Sequence, residues 1–510
     1  MDYNGPTFEF TPSIENFSKL PRFGHGSDIT VLISSETDEQ ADYAAGLITL
    51  FIFSIIFFIF WTLMIATFKV MGPANSGYLS GHPFVVKSHN DIWPSIVRAI
   101  FLIASGLLMI FVFLLVLKGF NNVDAAASSM SNSLQEVKNM LGNAWQLSND
   151  LDLVGQEAID IRDDAVNALT NICPANSNIA ASAGMDIIGI ASQAQADLTM
   201  LADFIQVGLE TMNEVLTQAG DVTERANTTI QRIDLWGWQT KLLVAGLFTL
   251  PSFLVVGVGL VMLDLDVKQY QQMLARFFMP LFMLTIAACY IICCLVLPLA
   301  VASADACSGG GNIRGGPDDT VLTIYRNIRG DDNGLIFQFV AFYTQQCNPN
   351  YYPFGFLSKY LSDLDTALDS SSTAAATLKA NQLMLETQCG RSFNDVITIV
   401  TDMTNNLMLL RKQANDALDL VNCEDINRLY VNTFYMTGCT YSVSAMAWIF
   451  ASSFVISICG MVMIMLRTAY YPAICIRGAP SKSHRPVTAP VEIVVEKSRR
   501  PRSPLDQRYM

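Results

Sequence analysis

Charge is scarce in this chain: acidic and basic residues make up 15% of it, against 51% hydrophobic residues. That balance excludes an ordinary soluble protein, whose charged share is nearer ~25%. Histidine is scarcer still, with four copies. His25 stands alone near the start, and His82, His89 and His484 fall in stretches read below as cytosolic. No metal-ligand spacing and no nucleophile motif accompanies them, so neither an enzyme nor a metal centre is expected. A secretory h-region is missing too. Residues 1–42 are polar and acidic, so the first apolar run is expected to act as its own insertion signal. Cysteine is nearly absent from the first half, where Cys173 is the only one before Cys289. The net charge of −14 argues against nucleic acid as a partner.

What the sequence does hold is long apolar runs. Charge-free stretches cover Tyr43–Phe68, Ala99–Leu117, Leu242–Leu263, Phe277–Ala304 and a run ending at Leu466. Each supplies the ~20 residues a membrane helix needs. Five spans are expected, at 43–68, 95–118, 239–263, 277–301 and 443–466. Charge sets their direction. The stretch 69–94 and the tail 467–510 are basic. The stretches 1–42, 119–238 and 302–442 are acidic, the longest of these deficits being four bases against sixteen acids in 119–238. An N-terminus outside and a C-terminus in the cytosol satisfy all of this, with 264–276 as the second cytosolic loop. The sequons Asn16-Phe-Ser and Asn227-Thr-Thr then both lie outside, as glycosylation sites require.

The outer segments read as helix. In 119–238, Met130, Leu134, Val137, Leu141 and Ala144 open one 3/4-spaced seam, and Ile187, Ala191, Ala194 and Leu198 open another. Pro174 and the Asn/Ser cluster around it mark the turn between two legs. In 302–442 the stretch up to about residue 356 reads as irregular, with possible short elements. A helix follows from about Leu357 to Glu386, "QCGRS" marks a turn, and a second helix carries the stripe Ile397, Val400, Met403, Leu407, Leu410 and Ala414. The expected fold is an all-α membrane protein: five transmembrane helices with two long extracellular helical hairpin segments forming a bundle.

Six cysteines fall on the outer side: Cys173, Cys307, Cys347, Cys389, Cys423 and Cys439. An even number in an oxidising compartment points to three disulfides, with fifteen pairings open. Helix height narrows them. Cys307 and Cys439 both flank the membrane. Cys173 and Cys389 stand about equally far along their helices, so they could staple the two hairpin tips, the alternative being a free or intermolecular Cys173. Cys347 and Cys423 remain.

Five spans, an outer N-terminus, two large helical outer segments and a basic tail resemble the prominin and tweety-homologue superfamily, over the whole chain at the level of topology. Loop sizes and length are closer to tweety homologues. Cys307 with Cys439, and Cys347 with Cys423, resemble the nested disulfides that tweety homologues carry in their second outer segment; Cys173 and Cys389 depart from that pattern. The resemblance implies a homodimeric plasma-membrane glycoprotein. Its prominin side implies cholesterol binding and the shaping of protrusions, cilia or shed vesicles; its tweety side implies a chloride channel. The expectation is a surface protein that organises sterol-containing membrane. A bound sterol or phospholipid is the one ligand foreseen, with an anion channel and an adhesion receptor as the other readings.

Smaller features fit around this. Arg329-Gly330-Asp331 is an RGD tripeptide on the outer side, although Asp-Asp-Asn-Gly after it reads equally as a polar turn. "GGGNIRGG" at 309–316 lacks the Lys-Ser/Thr of a phosphate loop. Lys241, Asp264, Asp266 and Arg276 sit at span ends and no ionisable group sits mid-span, which gives a pore no support. Pro251 and Pro280 could kink spans three and four. Gly46, Gly106, Gly246, Gly257 and Gly259 leave room for a sterol or for close helix packing. In the tail, Cys475 is placed for palmitoylation, and Lys497, Arg499, Arg500 and Arg502 for contact with anionic lipid.

Overall fold

The computed structural model describes residues 6–33, 37–80, 85–86, 92–171, 237–265, 267–309, 315–329, 334–472 and 474–475, with isolated residues between 217 and 228. In these residues the chain is helical apart from one two-residue parallel pair. The helices are α1 (Pro12–Ser18), α2 (Thr37–Ser76), α3 (Trp93–Leu114), α4 (Asn121–Asn171), α5 (Trp238–Met262), α6 (Lys268–Met273), α7 (Met279–Ser308), α8 (Gly316–Arg329), α9 (Leu335–Thr344), α10 (Gly355–Ala380), α11 (Gln382–Cys389), α12 (Asn394–Leu420), α13 (Cys423–Tyr430) and α14 (Ser442–Met465). Strand β1 (Val85–Val86) pairs with β2 (Ile474–Cys475). Widened π-type turns at Leu115–Phe120, Leu274–Phe278 and Val431–Tyr441 continue the helical path into α4, α7 and α14.

Among the described residues, five helical stretches are long and apolar enough to cross a membrane: Thr37–Gly72, Trp93–Glu157, Trp238–Met262, Lys268–Ser308 and Asn394–Met465. The chain is a membrane protein. Its contacts divide it into two units. One comprises Met1–Ala44, Val123–Asp234 and Ala302–Ser444; the other comprises Ala45–Asn122, Leu235–Val301 and Ala445–Met510.

The second unit holds the apolar cores of the spans. Its α2 face carries Ile52, Phe53, Ile56, Phe60 and Leu63, all exposed. Such a surface is stable only against lipid tails. Inside, small residues bring helices together. A Cβ at Gly257 would collide with Leu274, and one at Gly460 with Ile286. Gly257 is therefore a packing glycine, whereas Gly106 and Gly259 face open space. Pro251 lies inside α5, and Pro298, which the sequence reading passed over, lies inside α7. Pro280 sits at the start of α7, just after the widened turn Leu274–Phe278. A widened turn relaxes the ladder where a proline cannot donate. Tyr290 donates to the Ser54 carbonyl at 2.8 Å, and Arg98 donates to the carbonyls of Ala469 and Tyr471 at 3.2 and 3.3 Å.

The first unit is built on the α10–α12 pair. Val400, Met403, Leu407, Leu410 and Ala414 are buried along α12, as is Val396, whereas Ile397 is only half-buried. The period expected for this helix holds, but its first contact is one residue earlier. Leu364, Ala367 and Tyr360 of α10 face this stripe, and Val154 of α4 joins the same core. Gly390, at φ 67°, ends α11 and donates to the Glu386 carbonyl at 3.0 Å, the left-handed cap that a side chain would resist. Among the described residues, the stretch between the fourth span and α10, expected to be irregular with possible short elements, is largely helical. Helix α7 runs on to Ser308, and α8 and α9 follow. Asp318 and Asp319 in the first turn of α8 suit the positive end of a helix dipole.

Candidate functional site: a buried ion pair beside a disulfide

The N-terminal segment forms no span, yet it is tightly placed. Thr11 accepts the Ile14 N–H, and Pro12 occupies the first turn of α1, where a missing donor costs nothing. Ile14 is fully buried against the Cys307–Cys439 disulfide, Ala304 and Val443, with Phe8, Phe10 and Phe17 around it.

Further along, Arg22 meets Asp305 of α7 in an ion pair whose side chains are 4% and 0% exposed. Tyr43 at the start of α2 donates to the other Asp305 oxygen at 2.7 Å. The Arg22 guanidinium stands 5.5 Å from the Tyr43 ring centroid, a cation–π contact. Arg22 also donates to the Gly26 carbonyl at 3.4 Å, and Ser308 donates to the Asp305 carbonyl at 3.0 Å. Next door, His25 Nδ1 lies 2.7 Å from Asp42, whose second oxygen takes the Gly26 N–H at 2.8 Å. Residues 22–26 are thus strapped to both α2 and α7.

A second carboxylate, half-buried, lies close by in the chain. Asp318 accepts from Tyr430 at 2.6 Å and from Tyr435 at 2.7 Å. Burial raises its carboxyl above the usual aspartate range, and the two tyrosine hydrogen bonds pull it partly back. Phe8 packs edge-on to Tyr435, with ring centroids 5.1 Å apart.

No protein-family model matches the chain, and no curated protein sequence matches it. The reading of its site therefore rests on these contacts. Arg22, Tyr43 and Asp305 satisfy one another, with Arg22 Nε the one atom of the three side chains left without a hydrogen-bond partner among the described residues. Such a cluster fastens segments. It offers no nucleophile beside a base. Among the described residues, no three His, Cys, Asp or Glu side chains are placed to hold a metal ion.

The structure joins Cys307 to Cys439, with Cα atoms 5.6 Å apart, and Cys347 to Cys423, 6.0 Å apart. Cys173 and the Cys389 side chain lie outside the described residues, so the tip staple does too. Asn16 is exposed on α1; Asn227 lies outside the described residues. Arg329 ends α8, while Gly330 and Asp331 lie outside. Cys475 pairs through its backbone with Val86, and its side chain lies outside, as do Lys497, Arg499, Arg500 and Arg502. None of the fastening residues Arg22, Tyr43, Asp305 or Asp318 was singled out from sequence. The one available signal was Asp305 itself, an acid set in the small apolar string "AVASADAC".

Proposed function

We propose that this chain is a multipass surface glycoprotein that organises sterol-containing membrane at protrusions, cilia or shed vesicles, with its N-terminus and both large helical segments outside. The observation that carries this reading is the fastening of the first unit. A buried ion pair and the packing of Ile14 tie the N-terminal segment to the stretch between the fourth and fifth spans, which two nested disulfides and a tyrosine-clamped aspartate close on itself. A body held this way suits a rigid scaffold better than a moving machine. The topology resembles prominins and tweety homologues, which supports a homodimer and a bound cholesterol-like sterol. Gly106 and Gly259, open on their helices, are where a sterol ring would lie flat. Palmitoylation at Cys475 and contact of Lys497–Arg502 with anionic lipid would add anchorage on the cytosolic side. The test is twofold: photoactivatable cholesterol should label the purified protein in vesicles, and cells lacking it should lose protrusions. Absence of labelling together with normal protrusions would end this reading.

A second reading, an anion channel of the tweety type, draws on one feature of the span unit. Ser105, Ser452, Ser453 and Ser457 are buried there, and the hydroxyls of Ser452 and Ser457 have no hydrogen-bond partner among the described residues. Unsatisfied hydroxyls inside a bundle are a feature that water or an anion could use. Chloride flux in liposomes that falls in Ser452→Ala/Ser457→Ala would favour it; no flux from the unaltered protein would remove it.

A further inference from the structure

Within the span unit, α5 and the helix that faces it pack in a single register. The Phe253 and Phe278 ring centroids lie 4.6 Å apart. A Cβ at Gly257 would run into Leu274, and one at Gly246 would lie 3.5 Å from Thr285 Cγ2. Each step towards the C-terminus of α5 is matched by an equal step towards the N-terminus of its neighbour, as in an antiparallel pair. Tyr270 of α6 secures the same pair by donating to the Phe253 carbonyl at 2.8 Å.

Arg276 falls between two of these contacts, level with Val255. Its own charge-free run begins just after it, at Phe277, so along its own helix it marks a span end. The run on α5 continues past Val255 to Leu263, a further ~12 Å at the helical rise. The surface stays apolar on both sides of this cation. Met273 and Phe277 flank it, Met283 and Leu284 stand about two turns on, and Met262, Leu263 and Leu265 lie further down α5 and its following turn; all are exposed. Arg276 is exposed as well, and among the described residues its side chain has no ion pair and no hydrogen bond.

A guanidinium set in an apolar, lipid-facing surface is costly, and the bilayer answers by thinning locally so that a counter-charge can reach it. The anion a bilayer supplies is the headgroup phosphate, whose geometry matches the two parallel N–H donors of an arginine. We propose that Arg276 binds the phosphate of a phospholipid headgroup drawn into the α5–α7 surface, inward of the level at which the apolar run of α5 ends. Met262, Leu263 and Leu265 stay against acyl chains while the headgroup dips to the cation. A net-anionic headgroup is preferred, because no ammonium group on it offsets the phosphate. The inference requires only these two spans and stands independently of the membrane-organising function.

The experiment titrates the full-length protein in mild detergent with phosphatidylglycerol and reads bound lipid by native mass spectrometry. Arg276→Gln should bind about tenfold more weakly than the unaltered protein, as the loss of a charged hydrogen-bonding group implies. Lys268→Gln, which removes an exposed charge at the start of α6, should bind as the unaltered protein does. Equal binding by the unaltered protein and Arg276→Gln would overturn the proposal, and so would an equal loss in Lys268→Gln. Excess inorganic phosphate should leave the lipid in place; its displacement would overturn the lipid as the ligand. Should Arg276→Gln fail to fold, the unaltered protein in vesicles suffices. Phosphatidylglycerol with a photoreactive diazirine in its headgroup should label residues 273–281, and with the diazirine in its acyl chain it should label Met262–Leu265. Headgroup adducts confined to other segments, or no chain adduct beyond Val255 on α5, would overturn the proposal.

Discussion

Arg22 and Asp305, 283 positions apart in sequence, form an ion pair that water scarcely reaches. Removing one partner leaves the other charged, buried and alone. Arg22→Met or Asp305→Leu alone is expected to lower stability by about 3–5 kcal/mol, whereas the two together should cost much less, because a buried pair gains little over a packed apolar one. Thermal unfolding of the four proteins in detergent measures this. Additive losses in the double variant would mean that the two residues do not act as a pair.

The disulfides are nested, with Cys347–Cys423 closing 76 residues inside the 132 closed by Cys307–Cys439. Either bond removed as a Cys→Ser pair should cost about 2–5 kcal/mol. With the inner bond intact, the outer one closes a shorter effective loop, so the loss of both should exceed the sum of the single losses. Midpoints of unfolding under non-reducing conditions decide between this and simple additivity.

Two carboxylates give opposite pH dependence. The Asp318 carboxyl is raised by burial, so its contribution to stability is complete below the unfolded carboxyl value of ~3.9 and is lost as pH rises through the higher folded value. Glu386 is lowered by hydrogen bonds from Gln382 and from the Phe393 N–H. Its contribution is present above the unfolded value and is lost as pH falls through the lower folded one. Unfolding midpoints measured across the acid range should therefore lose their fall with rising pH in Asp318→Asn, and lose part of their fall with acid in Glu386→Gln. Unchanged profiles in both would contradict the assignment.

Phe23 has φ 54°, a left-handed backbone that Phe23→Gly relieves. In detergent its stability is expected to stay level or to rise by about 1 kcal/mol, the strain relieved being partly offset by the wider freedom of the unfolded chain. A marked loss would contradict the release of backbone strain at this position.

Asn16 lies exposed on α1, which is compatible with an attached glycan. Asn16→Gln should remove a glycosidase-sensitive mass increment from the protein made in eukaryotic cells. An unmodified Asn16 in the unaltered protein would argue for the opposite sidedness of the N-terminal segment.

Much was legible because it is local. Five apolar runs announce five spans, since chain length against bilayer thickness is a property of consecutive residues. The 3/4 spacing along α12 announces its buried stripe, though Val396 rather than Ile397 is its first fully buried position. Helices α8 and α9, foreseen only as possible short elements, span 14 and 10 residues, too few for a helical period to stand out beside Gly316 and Gly334.

The rest depends on contacts between distant residues. Composition counts Arg22 and Asp305 as two charges among many, and nothing in their neighbours reveals that one would be buried against the other. Fifteen cysteine pairings were open by count, and helix height favoured Cys307 with Cys439 and left Cys347 with Cys423; the fold makes both by placing α7, α9, α13 and the turn before α14 side by side. Hydropathy and period belong to single segments, and so the sequence alone determined a helical, five-span membrane chain. Which charges lose their water, which thiols meet and which aromatic ring stays exposed follow from the packing of segments hundreds of residues apart, and only the tertiary structure decided them.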